Sequence, residues 1–261
     1  MMFRMGWSGM LAALASAVST CSGARDLDRS RGSRHISRQA AIAPGIPLKV
    51  LAVGDSITQG FKSTDGNGYR LHLLGSLIDA GSQVSYVGSQ RSGNMENNAN
   101  DGFVGWTISE IAEGARPDFK LLPNVVLLHA GTNDMDKDPA PEPYDTAPER
   151  LASLVDEILG AIPEVTLVVA QIVQSGNPGT RDRIPAYNAA ISGILNERAA
   201  KGSKILAIDM SSIGVGGSNL IDNLHPNDKR YELMAGFWFE ALKQASEKGW
   251  ITAPCEPSAE L

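Results

Sequence analysis

Five apolar runs recur through the middle of the chain: Lys49–Val53, Val84–Val87, Val125–His129, Val165–Ile172 and Lys204–Met210. The first and third are continuous rather than alternating, the pattern of a strand covered on both faces. Between them the apolar residues change to helical spacing. Gly68–Ala80 carries Leu71, Leu74, Leu77 and Ile78, and Gly81 ends it in the manner of a C-cap. Thr107–Gly114 carries Ile108 and Ile111, and Pro148–Gly160 carries Leu151, Leu154, Val155 and Ile158. Ala186–Lys201 and Asn227–Lys248 complete the series. Strands that alternate with helices, joined by connections of one hand, build a parallel sheet with helices on both faces. The expected fold is a three-layer α/β/α, doubly wound domain around a five-stranded parallel sheet, flavodoxin-like in type. No internal repeat and no second domain is evident.

Open sheets of this kind hold ligands outside the carboxyl ends of their strands. Four loops expected near that edge carry unusual residues. Gly54-Asp55-Ser56 follows the first run, and Gly102-Phe103-Val104-Gly105-Trp106-Thr107 follows the second. Gly131-Thr132-Asn133-Asp134 follows the third, and Asp222-Asn223-Leu224-His225-Pro226 precedes the last helix. Ser56 reads either as a helix cap or as a nucleophile. A serine hydroxyl needs a base within hydrogen-bond reach to attack at neutral pH. His225 is the candidate base. Asp222, three residues earlier, can accept from the second ring nitrogen and steady the imidazolium. An oxyanion formed at an ester carbonyl would meet the backbone N–H of Ser56, the backbone N–H of Gly105 and the side-chain amide of Asn133.

Trp106, Phe103 and Asp55 lie beside these positions and are the substrate-binding candidates. Trp106 reads equally as a ring that stacks on a sugar and as a wall of the core. Asp55 also suits bonds to nearby turn amides. His129 and His72 read as structural, Asp134 as support for its loop, and Arg70 as the partner of a buried acid or a wall of the substrate groove.

Taken in order, Gly-Asp-Ser, a loop glycine, Gly-x-Asn-Asp and Asp-x-x-His resemble the SGNH (GDSL-type) hydrolase superfamily over about residues 48 to 248. The resemblance implies Ser56, Gly105, Asn133 and His225 as the signature residues, with Asp222 as the acid. Gly54–Gly60, Asp65-Gly66-Asn67-Gly68-Tyr69-Arg70, Tyr86-Val87-Gly88-Ser89 and Gly105-Trp106-Thr107 further resemble carbohydrate esterase family three. That likeness implies a secreted deacetylase of acetylated xylan. The chain departs from the pattern at Asp101-Gly102-Phe103, where Glu-Gly-His is frequent, and at Arg230, where glycine is frequent. Phe103 lies near the expected acyl site, so its departure bears on the substrate. The expected activity is a metal-independent serine esterase that removes acetyl groups from plant polysaccharide. A lipase or lysophospholipase acting on longer acyl esters is the rival within the enzyme class. A non-catalytic carbohydrate-binding module is the rival outside it.

A formal charge of −6 with no basic stripe speaks against a nucleic-acid surface. Arg4, the apolar stretch Met5–Val18 and the small residues Ser19–Ala24 read as a secretory signal over residues 1–24, too short for a membrane span. Residues 25–47 read as a linker or pro-segment, 48–250 as the folded domain and 251–261 as a flexible tail. The two cysteines fall in the leader and the tail. No disulfide is expected in the mature chain, unless processing spares Cys21 and it bridges to Cys255. There is no Cys/His cluster for zinc, and no metal or cofactor is expected. The loops 93–100 and 135–145 offer oxygen atoms to calcium, without EF-hand spacing. The expected partner is an acyl-ester substrate, with neither nucleic acid nor membrane, and the expected state is a monomer.

Overall fold

The computed structural model describes residues 41–216 and 219–255. The expected signal segment and most of the expected linker lie outside the described residues. Among these residues seven strands form one sheet: β1 (Leu48–Asp55), β2 (Val84–Val87), β3 (Gln90–Arg91), β4 (Ala99–Phe103), β5 (Val125–His129), β6 (Thr166–Ala170) and β7 (Ile205–Ile208). The order is β3-β4-β1-β5-β6-β7, with β2 also paired to β1. Every pairing is parallel except β3 with β4. The helices are α1 (Ser56–Gln59), α2 (Tyr69–Asp79), α3 (Ile108–Ala115), α4 (Thr132–Asp136), α5 (Ala147–Ala161), α6 (Pro178–Ala199) and α7 (Asp228–Glu247).

The strands are apolar on both faces because both faces are covered. Val50, Leu127 and Val168 point into a core shared with Leu73 and Leu77 of α2 and Trp238 and Leu242 of α7. Leu51, Leu128 and Leu167 point the other way, against Ile111 of α3, Leu154 of α5 and Ile191 of α6. Each such side chain contributes about 1.5–3 kcal/mol on leaving water. This is the expected three-layer α/β fold.

The sheet has seven strands rather than five because the polar stretch 88–105 is not simply a loop. All of β4 is buried, although its sequence is Ala-Asn-Asp-Gly-Phe. Its polar groups, Asp101 Oδ2 excepted, find partners nearby: Asn100 donates to Ser92 Oγ and accepts from Gly102 N–H, and Asp101 Oδ1 accepts from Ser89 N–H. A strand stabilised by such bonds carries no apolar signal. β2 pairs with the first half of β1, from Leu48↔Val84 to Leu51↔Val87. β4 takes over along the same edge, from Val53↔Asp101 to Asp55↔Phe103.

Three further details depart from expectation. α2 buries Tyr69, Arg70, Leu73 and Leu77, while Leu71, Ile78 and His72 face solvent. α6 begins at Pro178 and runs through Pro185, eight residues before the expected start. Pro178 sits in the first turn, where its missing N–H is not needed. Packing also extends past both ends of the expected domain. Ile42 and Ala43 are buried, and Ala43 N–H donates to Ser246 Oγ. Ile251 is buried, and Asn124 donates to both Pro47 O and Thr252 O. Cys255 is disulfide-bonded, the outcome expected where residue 21 is retained. The sequence has one other cysteine, Cys21, which lies outside the described residues. No helix among the described residues is long and apolar enough to cross a membrane.

Candidate active site

β1 ends at Asp55, and the chain turns at once into the single-turn helix α1. Gly54 is required there by crowding. A Cβ would come within 2.2 Å of His129 O on the neighbouring strand and 2.4 Å of Thr58 Oγ1. Asp55 is the N-cap, and its Oδ1 accepts from Ile57 N–H at 2.9 Å. Ser56 is therefore the first residue of a helix, where the backbone N–H has no partner within the helix. Asp55 is fully buried. Its expected place as a substrate contact is corrected to that of a cap beneath the surface.

His225 arrives from the loop before α7. Its Nε2 lies 2.8 Å from Ser56 Oγ, and its Nδ1 lies 2.9 Å from both carboxylate oxygens of Asp222. With Nδ1–H donating to Asp222, the Ser56 hydroxyl donates to Nε2. Asp222 also accepts from the backbone N–H of His225 and Leu224. Burial pushes its pKa up, but the bonds from His225 and Leu224 outweigh that and hold it below the usual value. Asn223 O is pinned in turn by Gly176 N–H at 2.7 Å and Ser175 Oγ at 3.0 Å. The structure thus brings together the three residues the sequence singled out for nucleophilic chemistry. Ser56 and His225 are almost buried, and Asp222 is the most exposed of the three.

The candidate oxyanion donors come from two other strand exits. Gly105 has φ +79°, in the left-handed region. A Cβ there would meet no protein atom within 4 Å, so within the protein it is conformation rather than crowding that favours glycine. Asn133 lies on α4, which begins just beyond β5. Its Nδ2 donates to Trp106 O at 2.9 Å, using one of two amide hydrogens. That bond ties α4 to the Gly105 loop. Asp134 braces the same junction: Oδ2 accepts from Ile108 N–H and Oδ1 from Arg150. Burial raises its pKa, and the Arg150 bonds pull against that shift. Support of the loop, as expected, is its visible task.

Phe103 is nearly buried and stacks on Trp106, with centroids 4.5 Å apart and planes at 12°. Trp106 is 37% exposed. Together they form a wall whose outer ring alone reaches solvent. His129 is fully buried with neither ring nitrogen partnered among the described residues. Burial holds its pKa down. Arg70 is also buried, but it binds backbone carbonyls rather than an acid.

Sequence reasoning missed Phe61, whose ring meets the His225 imidazole edge-on at 4.9 Å. Its signal was an aromatic directly after Gly60 in an otherwise polar loop. It also missed Arg150, and Tyr187, which donates to Ala130 O at the end of β5. Among the described residues no group of three or more His, Cys, Asp or Glu is placed to share a metal ion.

Residues 52–233 match the family described as GDSL-like Lipase/Acylhydrolase. A multidomain esterase of Ruminococcus flavefaciens is 28% identical over 244 residues, 81% of this chain and 31% of that protein. A putative endoglucanase X of Acetivibrio thermocellus is 29% identical over 120 residues, 45% of this chain and 49% of that protein. The chain therefore spans about a third to a half of these two relatives. Among solved structures, a Clostridium thermocellum family 3 carbohydrate esterase superposes with TM-score 0.68 at 30% identity, covering 77% of this chain and 98% of that one. A Talaromyces cellulolyticus carbohydrate esterase family 3 structure, at 24% identity and TM-score 0.64, covers 77% of this chain and 99% of that one and shares the fold.

Proposed function

The chain belongs to the GDSL-like lipase/acylhydrolase family, and from that membership we propose that it is a secreted serine esterase that removes acetyl groups from a plant polysaccharide such as xylan. The observation that carries the reading is the unbroken relay from Ser56 Oγ through His225 to Asp222, with contacts of 2.8 and 2.9 Å. Ser56 attacks the ester carbonyl while His225 Nε2 takes its proton. Asp222 holds the ring in the tautomer that makes Nε2 the acceptor and stabilises the imidazolium. The oxyanion is met by Ser56 N–H, Gly105 N–H and the second amide hydrogen of Asn133, each worth on the order of 3 kcal/mol in the transition state. His225 then gives the proton to the leaving sugar hydroxyl. Water, deprotonated by the same histidine, releases acetate from Ser56.

The likeness to carbohydrate esterases supports the sugar. Secretion is supported by the leader pattern.

The test is acetate release from acetylated xylan beside acetyl and octanoyl nitrophenyl esters. Fast release from xylan and the acetyl ester is expected, and Ser56→Ala is expected to abolish both with the fold intact. Preference for the octanoyl ester with xylan untouched would move the substrate to lipids. Turnover by Ser56→Ala at the wild-type rate would remove the nucleophile.

A further inference from the structure

The carboxyl edge of the sheet continues beyond the relay. The loop after β6, the first half of α6 and the loop after β7 enclose two open cavities of about 330 and 490 Å³. Gln174 and Val215 line both, so the two form one groove. Its near end is walled by Asn223, inside the loop that carries Asp222 and His225. Its far end is walled by Gln171, Ala189 and Ser212. The near wall is rigid against the relay, because Gly176 N–H and Ser175 Oγ both bind Asn223 O.

The lining specifies the ligand's chemistry. It is built from amides, hydroxyls and one guanidinium set among the apolar side chains of Ile184, Pro185, Ala189, Val215 and Leu220, with no carboxylate and no lysine. Val215 is 59% exposed and offers an apolar surface between the polar groups. An acyl chain would present no polar group to the Gln174 and Asn223 amides at the near end. A neutral polyhydroxylated chain has hydroxyls for the amides and C–H faces for Val215. The distance also fits. β6 and β7 lie two and three strands from β1, and strands are about 4.8 Å apart, so the groove lies roughly 10–15 Å from the end of β1. That span suits several sugar residues rather than one acetyl group.

We propose that this groove binds the unreacted part of a neutral polysaccharide, the run of sugar residues flanking the one whose ester lies at Ser56. The inference rests on the esterase reading above and extends it from the acyl group to the chain that bears it. The groove, rather than the acyl pocket, then sets the preference for polymer over small esters.

Three variants test it: Ala189→Trp and Ser212→Trp to fill the far end, and Gln174→Ala to remove the shared amide. The readout is kcat/KM on an acetylated xylo-oligosaccharide divided by kcat/KM on nitrophenyl acetate. A second readout is calorimetric titration of xylohexaose into Ser56→Ala with and without each change. The expected result is a fall in the ratio of about tenfold, carried by KM, with weaker xylohexaose binding. Leu233→Trp, on α7 away from this edge, is expected to keep the wild-type ratio. A ratio within about twofold of wild type in all three, while wild type still deacetylates the oligosaccharide, overturns the groove and leaves the esterase reading standing. Cleavage of nitrophenyl acetate alone, with no acetate from any glycan, overturns the polysaccharide reading. In that case xylohexaose that fails to bind Ser56→Ala overturns the groove too, and binding that Ala189→Trp removes upholds it.

Discussion

Replacing Arg70 removes the group that holds the far end of the nucleophile helix. Arg70 is fully buried, and its hydrogen bonds among the described residues go to carbonyls and the Ser92 hydroxyl. Its Nε donates to Thr58 O at 3.1 Å, and its Nη2 donates to Gln59 O and Ser92 O, both at 3.0 Å. Nη1 reaches Asn98 O at 3.3 Å. Thr58 and Gln59 are the last residues of α1, where a cation is favourable to the exposed carbonyls. In Arg70→Met some acceptors keep other donors: Ser92 Oγ still serves Gln59 O, and Asn100 still serves Asn98 O. Thr58 O and Ser92 O lose theirs. Two buried carbonyls at about 1–3 kcal/mol each, plus imperfect refilling of the space, give a loss of about 3–6 kcal/mol. Arg70→Lys keeps the charge but not the planar fork, so it is expected to recover only part of this. Urea unfolding followed by circular dichroism, with midpoint and slope both fitted, reads the change. Displacement of Ser56 is expected to lower kcat on nitrophenyl acetate by about tenfold or more in protein that remains folded. An Arg70→Met protein within about 1 kcal/mol of wild type, with kcat unchanged, would refute the reasoning.

Asp222→Asn, which disturbs the tautomer while keeping the shape, is expected to lower kcat by about 10³–10⁴ with little change in KM; steady-state kinetics on nitrophenyl acetate checks it. Asp101 is fully buried, and burial, with Asp118 beside it adding to the effect, pushes its pKa up to about 7 against the pull of Ser89 N–H. Because the folded value lies above the unfolded one, its contribution is fully present below about pH 4 and is lost as pH rises through about 7. Urea midpoints are accordingly expected to fall across that window, and Asp101→Asn is expected to flatten the fall. Intact mass with and without reductant reads the bond at Cys255. A gain of two hydrogens on reduction is expected for a bond to Cys21, which also requires that processing leave residue 21 in place.

The layers and the relay were legible because both rest on short-range patterns. Val125–His129 had to be a covered strand whatever surrounded it, and Asp222 lies within one turn of His225. What stayed hidden depends on distant partners. β4 is a strand because Asn100 finds Ser92 and Asp101 finds Ser89, and no local run of residues announces that. Pro185 reads as a break, yet α6 passes through it with Ile184 and Tyr187 packed on the core. Asp55 read as a substrate contact because it adjoins Ser56, and only the direction in which β1 ends turns its side chain inward.

The shared edge of β1 couples one portion of the rim to the nucleophile strand. The chain stops pairing with β1 at Val87, opposite Leu51, and resumes at Asp101, opposite Val53. The two points are thus two positions apart on one strand. Residues 88–100 therefore begin and end against the strand that presents Ser56, and their middle, through Ser92 O and Asn98 O, also holds Arg70 beneath α1. Phe103 and Gly105 follow directly after the segment. A change of length or sequence there reaches the nucleophile helix as well as the rim.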